Sequence, residues 1–344
     1  MRLDDGTNQF PEVVLYPGQE FLYCEVARLE GRLSADLSSL VITPSSEPMG
    51  VDLGITSNPI IATRTTLTNL GENYYGQLQS GVILNNSRDR IAFYPTVTTA
   101  GFDTSGNIIN CGREWGTPAF IRENSQAAST FRLLNNNIPA SYQSYAAQDA
   151  SNYYLEEDTW EIKDSNQLTV SQVNFVQDEL DLLPVYYLTN NNQNSGDFDF
   201  AVNYFAYDAA GDVAWAYSMR LSSLFEPGTS YGPFHYQQNF LIPGKQVARL
   251  EVDAVTFDVY KRDGEVPVTP VQFGSISFDA ASGNINTQAT SLVGETVFLT
   301  AAAACFDAGG NLIGYGWNSE YIEANSTIPF SLYAYDLGGN SCSS

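Results

Sequence analysis

Proton-transfer catalysis needs a base, and the chain carries one histidine, His235, in the run Gly232-Pro233-Phe234-His235-Tyr236-Gln237. On a strand among aromatics such a histidine reads as a half-buried or surface side chain, not as the middle member of a nucleophilic triad. No Gly-x-Ser-x-Gly elbow and no glycine-rich phosphate loop is present. The densest acidic clusters are Glu156-Glu157-Asp158 and Asp178-Glu179-Leu180-Asp181. Glycoside cleavage needs two carboxyls facing each other across a cleft, which neighbours in sequence do not supply, so both clusters read as solvated loops. The expectation is a protein that is not an enzyme and needs no cofactor.

Ligand chemistry remains. Asp103, Asp208 with Asp212, and Asp307 offer hard oxygens that suit Ca²⁺, but no Asp-x-Asp-x-Asp-Gly loop with a late glutamate accompanies them. A turn explains the same aspartates, so calcium ranks second to it. The four cysteines, Cys24, Cys111, Cys305 and Cys342, form no Cys-x-x-Cys, which speaks against zinc and for disulfides in an oxidising compartment. Three pairings are open; Cys305 with Cys342 falls within the last part of the chain and leaves Cys24 with Cys111. Four buried free thiols compete with that reading. Glycosylation sequons start at Asn85 and Asn325, both expected in loops. The doublets Tyr74-Tyr75, Tyr153-Tyr154 and Tyr186-Tyr187 place one ring on each face of a strand, one for the core and one for a sugar or protein contact.

Composition narrows the partners. With 39 acidic against 15 basic residues the formal charge is -24, which repels phosphate backbones and anionic lipid, so nucleic acid is not an expected partner. No stretch reaches the length of a membrane span. Met1-Arg2-Leu3-Asp4-Asp5-Gly6 lacks the apolar core of a signal peptide, so either a signal has been removed or export takes another route. Aromatics at 13% supply ample core material.

The elements that position these residues repeat. Phe102-Asp103-Thr104-Ser105-Gly106-Asn107-Ile108-Ile109, Tyr207-Asp208-Ala209-Ala210-Gly211-Asp212-Val213-Ala214 and Phe306-Asp307-Ala308-Gly309-Gly310-Asn311-Leu312-Ile313 share one pattern, their aspartates 105 and then 99 positions apart. Each predicts a hairpin: aspartate accepts from the turn amides and glycine takes the left-handed position at little cost. A tryptophan follows each turn (Trp115, Trp215, Trp317) and is expected in the core. Phe120, Phe225 and Ile322 then precede a second turn and strand. Spacing of about one hundred residues and Asn-rich turns favour an all-β chain of tandem β-sandwiches.

Phe205-Ala206-Tyr207-Asp208 with Gly211, Cys305-Phe306-Asp307 with Gly310-Asn311-Leu312-Ile313, and Glu226-Pro227-Gly228 before Phe234 resemble the FxLYD-type domains of prokaryotic secreted and surface proteins. The resemblance implies immunoglobulin-like sandwiches and an extracellular setting, and no catalytic residues.

The expected division is an N-terminal extension over 1–55, a first repeat over 56–138, a connection with room for a short helix over 139–164, a second repeat over 165–245 and a third over 246–344. Val13-Val14-Leu15-Tyr16-Pro17-Gly18-Gln19-Glu20-Phe21-Leu22-Tyr23 looks like a detached strand-turn-strand. It either folds back on its own repeat or completes the sheet of another copy. The leading expectation is a subunit of an extracellular filament or surface layer, a homopolymer joined through strand edges. The alternative is an adhesin or carbohydrate-binding module that offers exposed Tyr and Trp to a glycan or other surface ligand.

Overall fold

β-Branched and aromatic residues alternate with polar ones over most of the chain, and in the computed structural model every described regular element is a strand. The structure describes residues 13–16, 19–24, 59–71, 76–89, 91–149, 168–178, 181–191, 196–235, 245–260, 270–279, 282–307, 309 and 312–336. The chain divides into two units, Met1–Asp158 and Thr159–Ser344.

The first unit contains β1 (Val13–Val14), β2 (Ile60–Asn69), β3 (Leu78–Asn86), β4 (Ala92–Phe93), β5 (Pro95–Phe102), β6 (Ile108–Trp115), β7 (Phe120–Ile121), β8 (Ser125–Arg132) and β9 (Ser141–Asp149). One sheet runs β1-β9-β5-β6 and another β2-β3-β8, with a two-stranded ribbon of β4 and β7. The two larger sheets face each other over Val82, Leu84, Ala127, Phe131 and Val97. A chain of hydroxyls crosses this interior. Thr65 Oγ1 donates to Ser144 Oγ, Ser144 Oγ meets Thr99 Oγ1 and Thr99 Oγ1 meets Ser80 Oγ, each at 2.7 Å.

The stretch after Pro139 differs from the expected connection. Ser141–Asp149 is a strand, because the open edge of β5 offers it partners from Phe102 back to Pro95. On the outer edge of β9 sits β1, with Val13 opposite Asp149 and Val14 opposite Gln148. Residues 13–16 and 19–24 thus fold back on their own unit. Gln19 Nε2 donates to Ala146 O at 3.1 Å, Tyr16 is buried, and Cys24 is bonded to Cys111 on β6. Since β5 lies between β9 and β6, the described residues 15–16 and 19–24 cross the sheet as a strap. Cys111 lies opposite Ala100, on the face turned away from Thr99 and Ser80, so the strap covers the outer face. That is why β5 is buried on both sides from Pro95 to Gly101. Gly112, beside the anchoring cysteine, has no room for a side chain: a Cβ there would stand 2.6 Å from Arg132 O.

The second unit contains β10 (Leu168–Asp178), β11 (Asp181–Asn190), β12 (Gly196–Tyr207), β13 (Val213–Phe225), β14 (Ser230–His235), β15 (Arg249–Tyr260), β16 (Val271–Phe273), β17 (Ser277–Asp279), β18 (Asn284–Ser291), β19 (Val297–Phe306), β20 (Leu312–Ile322) and β21 (Thr327–Asp336). Its sheets are β10-β11-β14, β13-β12-β15 and β16-β18-β21-β20-β19, with β17 also on β18. The first two sheets enclose Phe198, Phe200, Tyr204, Trp215 and Phe225 against Leu168, Leu182, Tyr186 and Leu188. The Tyr186 and Tyr204 hydroxyls meet inside this core at 2.7 Å. The ladder between β12 and β15 carries the middle sheet to Tyr260, past the boundary at 245 drawn from the repeat. In the third sheet Ile285, Ala289, Ile322, Phe330 and Leu332 form the core of one face. On the other face Tyr315, Ala302, Ala304 and Phe306 pack against Leu183 and Val185 of β11.

Candidate functional site

The three aspartates organise hairpins. Asp103 Oδ1 accepts from the Ser105 and Asn107 amides, both at 2.8 Å, and its Oδ2 accepts from Asn107 Nδ2 at 3.0 Å. The Asn107 side chain leads the effects that hold the Asp103 pKa below the usual carboxylate value. Asp208 Oδ1 accepts from the Ala210 and Asp212 amides, both at 2.9 Å, and Lys245 Nζ donates to its Oδ2. Burial works to raise the Asp208 pKa, but Lys245 and the amides outweigh it and the pKa falls. Asp307 Oδ1 accepts from the Gly309 amide at 2.8 Å. Amide and ammonium protons are donated to these carboxylates, and among the described residues no three Asp, Glu, His or Cys converge.

All three hairpins close in one register. Phe102 lies opposite Ile108, Tyr207 opposite Val213 and Phe306 opposite Leu312, each after a bulge. Their tryptophans nevertheless differ. Trp215 is 3% exposed, whereas Trp115 is 58% and Trp317 48% exposed, so the expectation of three core rings holds only for the second. Parity is the reason. Trp215 follows its aspartate by 7 residues, Trp115 and Trp317 by 12 and 10. With the turn register equal, an odd offset and an even offset face opposite sides of a strand.

Cys24 and Cys111 are bonded, with Cα atoms 6.0 Å apart. Cys305 is also disulfide-bonded; Cys342, its expected partner, lies outside the described residues. Asn325 is exposed in a turn with φ of 53°, a conformation asparagine tolerates. Asn85 lies not in a loop but on the central strand β3, opposite Ile61 and Gln126. The strand continues there because Asn86 Nδ2 donates to the Ile121 and Arg122 carbonyls and holds the chain in line. Tyr186 is buried and Tyr187 half-buried. Tyr74-Tyr75, Tyr153-Tyr154 and Glu156 to Asp158 lie outside the described residues, as do the side chains of His235, Asp178 and Asp181.

Glu114 was not singled out by its sequence context. It stands opposite the fully buried Val97 on β5, where burial pushes its pKa up to about 7 against the pull of the Trp115 amide, the Thr117 hydroxyl and Arg113. A raised folded-state pKa means that the folded chain holds the proton more tightly than the unfolded one. The resulting stabilisation is therefore complete below pH 4.5 and is lost as pH rises through about 7. Glu114→Gln is expected to leave the stability of the first unit nearly unchanged at pH 4 and to raise it by about 3 kcal/mol at pH 8. Urea unfolding of both proteins at the two pH values measures this; equal midpoints at pH 8 would remove the buried-acid account.

Exposed aromatics gather on the third sheet of the second unit. Phe298 and Tyr321 lie opposite each other on β19 and β20, their ring centroids 4.8 Å apart. Trp317 of β20 lies opposite Tyr333 of β21. These rings stand on the face turned away from the Phe330 and Leu332 core. Beside them β19 ends the sheet and pairs with β20 alone among the described residues. Compared with known proteins, the chain matches no family model and no curated sequence.

Proposed function

We propose that this is an extracellular, non-enzymatic structural protein of tandem immunoglobulin-like sandwiches that assembles with its own copies through a strand edge. The observation that carries the reading is β19. Its sequence, Val297 to Phe306, contains no charged residue, no proline and no glycine. Soluble proteins blunt a sheet edge with lysine, proline or a bulge, and β19 shows a register shift only at its hairpin end, between Cys305 and Phe306. Its second half lies against Leu183 and Val185; its first half, Val297 to Ala301, pairs with β20 alone among the described residues, and it is there that a strand from another copy would add. The disulfide supports an oxidising, extracellular setting. The like closure of the three hairpins supports the immunoglobulin-like reading and the resemblance to FxLYD-type domains. N-terminal strand exchange is the less favoured route, because β1 already pairs with β9 and Cys24 ties the strap to β6.

Negative-stain microscopy beside light scattering tests the proposal. Fibres or sheets from the wild-type chain, and their loss in Thr300→Lys, which places a charge on the exposed edge strand, are the expected results. A wild-type chain that stays monomeric at high concentration would overturn the reading.

A further inference from the structure

The geometry points to a binding platform for a neutral oligosaccharide on the outer face of β18, β21, β20 and β19. On β19 and β20 the directly opposed pairs Phe298–Tyr321, Thr300–Ser319 and Ala302–Trp317 share this face. On β21 and β18 the pairs Tyr333–Asn284 and Ser331–Asn286 continue it. Two aromatic pairs, Phe298 with Tyr321 and Trp317 with Tyr333, therefore flank a row of small hydroxyl and amide side chains. Trp317 and Tyr321 are four residues apart on one strand, which places the pairs about 13 Å from each other. Their rings are broadly exposed: Phe298 61%, Tyr321 70% and Tyr333 59%.

The polar row is ordered. Thr300 Oγ1 and Ser319 Oγ are 2.9 Å apart, and Ser331 Oγ donates to Asn286 Oδ1 at 2.7 Å. Every ring is mounted on a hydrogen-bonded ladder, so a ligand meets a surface already in place.

Charge selects the occupant. In a chain of formal charge -24, no Asp, Glu, Lys or Arg stands at the outward positions of these four strands; Glu320 is on the opposite side of β20. A cationic partner finds no counter-charge on the face and an anionic one meets the field of the whole chain. A second protein sheet laid on this face would take its hydroxyls and amides out of water and leave them short of partners. A sugar chain has C–H faces to stack on the rings and hydroxyls to replace that water. The far end of the face is closed where Tyr315, Ala302 and Ala304 meet β11, so the platform is bounded on one side.

The test is titration calorimetry of the full chain with cellohexaose, chitohexaose and maltohexaose as neutral probes and oligogalacturonate as a charged one. Saturable binding of at least one neutral probe is expected, weakened about tenfold or more in Trp317→Ala and in Tyr321→Ala with melting temperatures within about 4 °C of the wild type, and preserved in Ser222→Lys on β13. The loss of one stacked ring corresponds to that factor. No binding of any neutral probe, preferential binding of oligogalacturonate, or binding that survives both ring substitutions would overturn the assignment. Loss of fibres in Trp317→Ala without sugar binding in the wild type would make the face an interface between copies and overturn it too. Assembly is scored separately by microscopy, so a chain that forms fibres and ignores sugars sinks the platform alone.

Discussion

Replacing both Cys24 and Cys111 by serine is expected to lower the stability of the first unit by about 4 kcal/mol and leave that of the second unchanged. The bond closes a loop with a sequence separation of 87, and the loop-closure entropy it removes from the unfolded chain is worth about 4.6 kcal/mol by the polymer estimate. The native state loses a cover as well. Without the tether, the strap holds to its sheet by the two-residue pairing of β1, the Gln19 bond to Ala146 O and the burial of Tyr16. Ala100, Thr98 and Ala147, now fully buried, lie on the outward positions of β5 and β9 beneath it. Urea unfolding should show one transition moving to lower denaturant and one staying in place, and protease should cut the N-terminal segment first. A variant with both transitions unmoved would show that the strap contributes nothing to the sheet it crosses.

Trp215→Ala is expected to cost about 3–5 kcal/mol, the range for removing a buried indole. Trp317→Ala, the same substitution at the tryptophan that follows the third hairpin, should cost within about 1 kcal/mol. Trp215 sits between Tyr204, at 6.0 Å, and Tyr217, stacked at 6.1 Å and 11°, within the core of the middle sheets. Truncation leaves a cavity ringed by aromatics that cannot collapse without breaking the Tyr186–Tyr204 hydroxyl contact. Trp317 is half in water already. Thermal melts of the two variants measure the difference, and similar losses in both would refute the parity account of the tryptophans.

That contrast also marks how far the sequence could be read. The hairpins were legible because aspartate, glycine and their amides meet within a few residues, and a local pattern suffices to specify a local turn. All-β character was legible for the same kind of reason. A shared motif does not fix a shared face: the offsets of 12, 7 and 10 residues, not the motif, set which tryptophan is buried. The β9 strand was hidden because Tyr142, Tyr145, Ala146 and Ala147 suit a helix as well as a strand, and the free edge of β5 decides between them. The aromatic face was out of reach. Its rings stand at 298, 317, 321 and 333, and nothing in the spacing says that 333 lies opposite 317 until β20 and β21 have paired. Glu114 carries no mark in the sequence, because its proton affinity comes from its surroundings and not from its neighbours in the chain.

The hydroxyl chain from Thr65 through Ser144 and Thr99 to Ser80 has a consequence for how the first unit avoids misassembly. Each of four strands places one hydroxyl at one level of the interior, and each hydroxyl has a single proton to give. If any one of these strands slides by a single residue, its hydroxyl turns to the other side of the sheet and the remaining ones lose their partner away from water. Such a slip also turns the strand's apolar side chains out to water; the hydroxyls add the loss of buried hydrogen bonds to that cost. The seam therefore adds an alignment check to the apolar pattern, and it ties together strands as far apart in the chain as β2 and β9.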